Sequence, residues 1–220
     1  MRLALIITAA GSGTRFGGDI HKLLLQWKGK SVLAHSCSAF FEFPFEETIV
    51  TADADRVTQF QSQLSDLTWP FPFRVISGGT TRFESVKKAV QTLSPGIDGV
   101  LIHDAARPNV SPDLIDRIVQ KTGHCRALIP VSPVVDTIKL IENGIVKETL
   151  PREKLFHVQT PQAFHVAELK RAYQTVQGDF TDEAGLLERA GVPVIAVPGD
   201  AQNLKITYPE DIARLNAFSK

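Results

Sequence analysis

Leu3-Ala4-Leu5-Ile6-Ile7-Thr8-Ala9-Ala10-Gly11-Ser12-Gly13-Thr14-Arg15-Phe16-Gly17-Gly18 is the stretch whose reading decides the fold. Its first half is a continuous apolar run, the pattern of a strand covered on both faces rather than on one. Its second half is a glycine-rich loop. Glycine takes φ > 0 without strain and lets the backbone approach a ligand, and successive N–H groups in such a loop can cradle phosphate oxygens. Arg15 lies inside the loop and Lys22 follows it, so two cations accompany an N–H-rich turn. That combination suits a highly charged polyphosphate.

Outward from this stretch, strands and helices alternate. Apolar periodicity and start and stop residues predict helices over 31–43 (Ser31 as N-cap), 53–64, 82–93, from Ser111-Pro112-Asp113 onward, and over 166–176, 182–190 and 209–218. Strands are predicted over 3–10, 47–52, 73–77, 99–103 (running into Asp104), 127–131 and 193–197. The rhythm breaks over 137–150, where two strands flank Asn143-Gly144, a dipeptide suited to a type I′ hairpin turn. The expected fold is α/β: one Rossmann-like domain over 1–220, with a mostly parallel sheet, helices on both faces and an inserted β-hairpin arm at about 133–157. Ligands of such sheets bind at the carboxyl ends of the strands. The segments to search are therefore 11–22, 78–82 and 104–108, with those near Thr160, Thr181 and Lys205.

Composition removes several classes. The 220 residues are 43% hydrophobic, enough for a substantial core, and carry 24 basic and 24 acidic side chains. Zero net charge argues against a general nucleic-acid or acidic-membrane binder. No apolar run approaches the roughly 18 residues of a membrane span. The apolar start reads as a first strand, not a signal sequence. Two cysteines, Cys37 and Cys125, form no CxxC pair or disulfide framework. They read as buried reduced thiols, which fits a cytoplasmic protein.

Known motifs narrow the chemistry further. The loop lacks GxxxxGK[ST], so it is no P-loop, and Phe16 stands where the third glycine of GxGxxG belongs, which removes the dinucleotide fingerprint. The six histidines show no metal spacing, and no nucleophilic triad stands out. Asp104, at the end of a strand, is of the type that holds Mg²⁺ beside substrate phosphates. Arg107 can pair with a phosphate through two hydrogen bonds. On these residues alone, a flexible turn, a helix cap and a surface ion pair remain open alternatives.

Taken in order, Gly11–Arg15 with Lys22, Gly78-Gly79 with Arg82 and Ser85, Asp104–Pro108, Asp136-Thr137, Thr160-Pro161-Gln162, Thr181-Asp182-Glu183 and Asn203–Thr207 resemble the 2-C-methyl-D-erythritol 4-phosphate cytidylyltransferases of the non-mevalonate isoprenoid pathway. The resemblance covers essentially the whole chain. It implies a nucleotidyltransferase that joins the cytidylyl group of CTP to methylerythritol phosphate and releases pyrophosphate. It implies catalytic roles for Arg15, Lys22, Arg152 and Lys205. Ala10, Gly11, Gly13, Gly79, Arg82, Ser85, Asp104 and Ala105 would contact the nucleotide. Arg107, Thr137, Arg152, Thr181 and Lys205 would face the acceptor, and Asp104 would help hold Mg²⁺ or another divalent cation. The arm would make a homodimer, with Arg152 serving the partner's site. Ribitol-5-phosphate cytidylyltransferases, and a nucleotide-binding module without catalysis, remain the alternative readings. Five positions depart from the family pattern: Phe16 replaces a more typical Met or Leu, His21 and Leu23 flank Lys22 where Pro-Lys-Gln is usual, Thr80 stands where Asp is common, and Gln202 where an acid is expected.

Overall fold

A computed structural model describes residues 1–11, 16 and 21–218. The first strand, β1 (Leu3–Thr8), is buried along its whole length. A small hairpin, β2 (Gln26–Trp27) and β3 (Lys30–Ser31), leads into α1 (Val32–Ser38). Strand and helix then alternate: β4 (Glu47–Ala52), α2 (Val57–Ser65), β5 (Phe73–Ser77), α3 (Arg82–Gln91), β6 (Gly99–Asp104), α4 (Pro112–Thr122) and β7 (Ala127–Pro133). A separate hairpin follows, β8 (Ile138–Glu142) and β9 (Ile145–Leu150), then β10 (Phe156–Val158) and β11 (Gln162–His165). The chain ends with α5 (Val166–Thr175), α6 (Glu183–Arg189), β12 (Ile195–Pro198) and α7 (Asp211–Ala217).

One sheet runs β10-β7-β11-β6-β1-β4-β5, with β12 also paired to β7. β1 is parallel to both β4 and β6, while β11 is antiparallel to β6 and β7. The chain lays β4 and β5 to one side of β1, then returns to place β6 on the other. The connection changes direction at β1/β6, and open α/β sheets hold their ligands outside the carboxyl ends of strands at such a point.

The pleat divides the core in two. Leu3, Leu5 and Ile7 of β1 face a cluster containing Val32, Leu33 and Cys37 of α1, Phe60 of α2, Ile115 of α4 and Leu215 of α7. Ala4 and Ile6 face the other, with Val86 and Val90 of α3, Leu169 of α5 and Leu187 of α6. Helices therefore cover both faces, and the apolar run of β1 has no polar side to show. Four helices begin on a side-chain cap: Ser31 accepts from the N–H of Ala34, Thr81 from Glu84, Ser111 from Leu114 and Asp182 from Gly185. Each such cap contributes about 1 kcal/mol.

Several elements differ from the sequence expectation. The helix expected to reach residue 43 stops at Ser38 and continues as turns. Phe43 precedes Pro44, whose ring disfavours helical backbone at that position. The helix expected from 53 opens as a 3-10 turn, Ala54–Arg56. Cys37 is buried, but Cys125 lies in the turn after α4 and is half-buried. β10 and β11 carry no sequence signature. β11 is four residues long and nearly all buried, so pairing with β6 and β7 makes it a strand rather than any alternation of its own. In the β8–β9 hairpin, Asn143 (φ 51°) and Gly144 (φ 76°) both take the positive φ that a type I′ turn requires.

Candidate active site

β6 delivers Asp104 to the edge of the sheet, where it is 6% exposed. Thr8, at the end of neighbouring β1, donates its hydroxyl to Asp104 Oδ1 at 3.1 Å. Arg82 Nε donates to the same oxygen at 3.1 Å, while its Nη1 donates to Glu183 Oε2 at 2.9 Å. Lys205 Nζ donates to Asp104 Oδ2 at 2.7 Å, and Arg107 Nε lies 3.8 Å from that oxygen. Three cations thus surround two carboxylates. Burial works against the Asp104 charge, but Arg82, Lys205 and Arg107 outweigh it and hold the carboxyl well below the usual carboxylate range. Glu183 is wholly buried, and burial raises its carboxyl above the ordinary value despite the Arg82 contact.

The backbone of this corner is pinned through His103. Its Nε2 lies 3.1 Å from the Arg107 carbonyl, and its Nδ1 lies 3.1 Å from Thr160 Oγ1. A carbonyl only accepts, so Nε2 carries the proton and Nδ1 accepts from Thr160. Thr160 Oγ1 in turn accepts from the Asp104 N–H at 3.0 Å. Full burial pushes the His103 ring down to about 4, so it stays neutral and keeps both bonds. The loop after β6 is therefore fixed before any ligand arrives.

A cavity of about 210 Å³ opens beside this cluster, lined among others by Arg82, Asp104, Arg107, Thr181, Asp182 and Lys205. Convergent guanidinium and ammonium groups in a concave, partly dry site suit a phosphate group. On the other side of the Asp104 corner, Lys22 Nζ donates to the Ile206 carbonyl at 3.0 Å, next to Lys205. Ile206 is tied by its N–H to the Ala106 carbonyl at 2.8 Å. Lysines from opposite ends of the chain thus approach one place.

The loop between β5 and α3 packs tightly against the end of β1. A Cβ added to Gly78 would come within 2.8 Å of Ala10 Cβ and 2.6 Å of Ser85 Oγ, so only glycine fits. Ser85 Oγ accepts from the Gly79 N–H at 3.0 Å and donates to the Thr81 carbonyl at 2.8 Å. Thr80 donates its N–H and its hydroxyl to Glu84 Oε2, closing the turn locally. Gly78 thus packs between Ala10 and the buried Ser85, whose hydroxyl fixes the backbone at Gly79.

The family model described as IspD: 2-C-methyl-D-erythritol 4-phosphate cytidylyltransferase matches residues 3–220. The chain belongs to this family. A Synechocystis protein named 2-C-methyl-D-erythritol 4-phosphate cytidylyltransferase is 42% identical over 214 residues, covering 95% of this chain and 93% of that protein. Its namesake from Acidobacterium capsulatum is 38% identical, covering 99% of this chain and 97% of the relative. Among solved structures, the Thermus thermophilus enzyme of that name has a TM-score of 0.80 at 30% identity, covering 100% of this chain and 99% of that one. The 4-diphosphocytidyl-2C-methyl-D-erythritol synthase of Anaerococcus prevotii has a TM-score of 0.85 at 28% identity, covering 99% of this chain and 96% of that one.

Of the family-motif residues, the cleft brings together Arg82, Asp104, Arg107, Thr181 and Lys205. Ala105 is wholly buried; its N–H donates to the Thr8 carbonyl and its own carbonyl accepts from Ser36 Oγ, so it belongs to the core and presents no free polar group. Gly11 donates its N–H to Asp53 Oδ1 at 2.9 Å. Thr137 and Arg152 stand apart from the cleft, in a cavity of about 280 Å³ at the base of the β8–β9 hairpin, where Arg152 Nη1 donates to the Val135 carbonyl at 2.7 Å. Gly13 and Arg15 lie outside the described residues.

The protein's own groups do not fit a resident metal. Among the described residues no three His, Cys, Asp or Glu side chains gather at metal-binding spacing. Both Asp104 oxygens already face protein donors, and three of those donors are cationic. A magnesium ion takes six oxygen ligands, so it fits here only when most of them come from substrate phosphates and water.

Glu183 starts α6, within the helix predicted over 182–190, yet its carboxylate turns inward to Arg82. Its position beside the capping Asp182 was visible; its inward direction was not. Gln159 and Gln162 also line the cleft, and the Gln162 amide donates to Asp182 Oδ2 at 2.8 Å. Their only signal was the Thr160-Pro161-Gln162 motif.

Proposed function

We propose that this chain transfers the cytidylyl group of CTP to 2-C-methyl-D-erythritol 4-phosphate, forming 4-diphosphocytidyl-2-C-methyl-D-erythritol and releasing pyrophosphate. The carrying observation is family membership over residues 3–220, on a chain whose Arg82, Arg107 and Lys205 converge at the carboxyl end of β6.

The acceptor phosphate monoester is already anionic near neutral pH, so one of its oxygens attacks the α-phosphorus without a general base. The P–O bond to pyrophosphate breaks as the new P–O bond forms, with attacking and leaving oxygens in line. The obstacle is repulsion between two polyanions. Lys22 and Lys205, with Arg15 of the glycine-rich loop, offset it and stabilise the added charge in the transition state. Arg107 and Thr181 orient the acceptor, while Ala10 and Gly79 face the base and the buried Ser85 holds the Gly79 backbone in place. Divalent magnesium enters chelated to the triphosphate, as part of the nucleotide substrate. The β8–β9 hairpin serves as a dimer arm that carries Arg152 and Thr137 to the acceptor site of a second copy. The reaction takes place in the cytoplasm; among the described residues no helix is long and apolar enough to cross a membrane.

Pyrophosphate release from CTP and magnesium tests this reading, comparing methylerythritol 4-phosphate with ribitol 5-phosphate. Release with the first alone is expected. Release with ribitol phosphate alone would keep the chemistry and replace the acceptor. CTP binding without release under either acceptor would reject catalysis.

A further inference from the structure

His21 joins the two ends of the segment that carries the glycine-rich loop. Its Nε2 lies 3.2 Å from the Gly11 carbonyl oxygen, and its Nδ1 lies 3.4 Å from the Leu23 backbone nitrogen. A carbonyl only accepts and a backbone N–H only donates. The two contacts therefore select one form of the ring, with the proton on Nε2 and a lone pair on Nδ1. An imidazolium would set Nδ1–H against the Leu23 N–H and lose that bond. The ring also packs on Phe60 of α2, with centroids 5.8 Å apart, and Gly11 is held from its other side by Asp53. The end of β1, the turn bearing Lys22 and helix α2 thus meet at one imidazole. Lys22 is the next residue in the chain, and its ammonium reaches the Ile206 carbonyl beside Lys205.

We propose that the neutral His21 imidazole is a positioning residue, holding Lys22 in register with Gly11 and so placing the Lys22 ammonium for the CTP phosphates. This deepens the cytidylyl-transfer reading and rests on it. His21 supplies this constraint through two side-chain hydrogen bonds, and so makes it sensitive to protonation. Burial works most strongly against the charged ring, Arg56 and Lys22 add to that, and the Gly11 carbonyl and Asp53 favour protonation; the balance lies below the ordinary histidine value. The neutral form therefore prevails at pH 7, and the constraint weakens as pH falls through the range below about 6.5.

Two variants and one spectrum test it. His21→Leu keeps an apolar body against Phe60 and loses both bonds; kcat/KM for CTP should fall roughly tenfold near pH 8 with acceptor KM unchanged. His21→Gln can still donate to the Gly11 carbonyl and does not titrate. Its activity should stay within about threefold of wild type near pH 8, and the ratio of variant to wild type should climb as pH falls below about 6.5. Taking the ratio removes the titration of the acceptor phosphate, whose second pKa lies near about 6. Wild-type kcat/KM for CTP in His21→Leu, or a flat ratio across that range, overturns the proposal. Long-range nitrogen–proton NMR on the unliganded protein reads the ring directly. A neutral Nε2–H tautomer at pH 7 supports the proposal, and an Nδ1–H tautomer or imidazolium overturns it. If wild type released no pyrophosphate with either acceptor, the cytidylyl-transfer reading alone would fall, and His21 would be judged on the spectrum and on CTP binding by calorimetry across the same pH range.

Discussion

The cleft around Asp104 and the β8–β9 hairpin are opposites. In the cleft, buried carboxylates interlock with half-buried cations: Arg82 spans Asp104 and Glu183, and Lys205 caps the second Asp104 oxygen. In the hairpin, almost every residue is exposed, including Ile141 at 57%, Ile145 at 62% and Val146 at 54%. The cleft ties its carboxylates to cations within one chain, while Arg107 Nε, Gln162 Oε1 and Glu183 Oε1 are buried without a hydrogen-bond partner. The hairpin leaves apolar side chains in water and buries little against the body of the chain, in keeping with the dimer arm proposed above.

The largest expected effect breaks the cleft's side of this contrast. Arg82→Met leaves two buried carboxylates without their shared cation and should cost about 3–5 kcal/mol of stability, measured by urea unfolding. A loss below about 1 kcal/mol would mean the cluster is not the rigid unit described. The same variant should flatten the acid limb of stability. Asp104 binds its proton more weakly folded than unfolded, so its contribution is present above about pH 4 and is lost as pH falls further; without Arg82 that contribution shrinks.

Next in size, Lys22→Ala should reduce turnover by roughly 10²-fold with little change in stability, as removal of a single electrostatic donor does elsewhere. Turnover equal to wild type would remove Lys22 from the reaction. The smallest effect on the monomer sharpens the hairpin's side. Ile141→Lys with Ile145→Glu should change unfolding free energy by no more than about 0.5 kcal/mol, because both side chains already face solvent. Sedimentation should nevertheless show dissociation of the dimer proposed above. An unchanged dimer would mean that some other surface holds the two copies.

The two regions also differ in how far the sequence revealed them. The hairpin depends on neighbours: Asn143-Gly144 supplies the positive φ values and the strands flank it, so its position could be read within a residue or so. The cleft joins Thr8, Arg82, Asp104, Glu183 and Lys205, which are far apart in the chain. Motif resemblance named most of these residues, but it did not show that Arg82 bridges two carboxylates or that Ala105 is wholly buried in the core. β11 escaped for the same reason: four residues have no period long enough to read, and their strand character comes from β6 and β7.

By itself the sequence determined the α/β class, the order of the main elements, the helix caps at Ser31 and Ser111, and the family, because these rest on local periodicity, backbone preference and motifs fixed in one linear order. Only the tertiary structure decided the tautomers of His21 and His103, the inward turn of Glu183, and the separation of Arg152 from the cleft of its own chain. A hydrogen bond or ion pair depends on distance and direction between atoms, and the fold brings together groups that are remote in the chain.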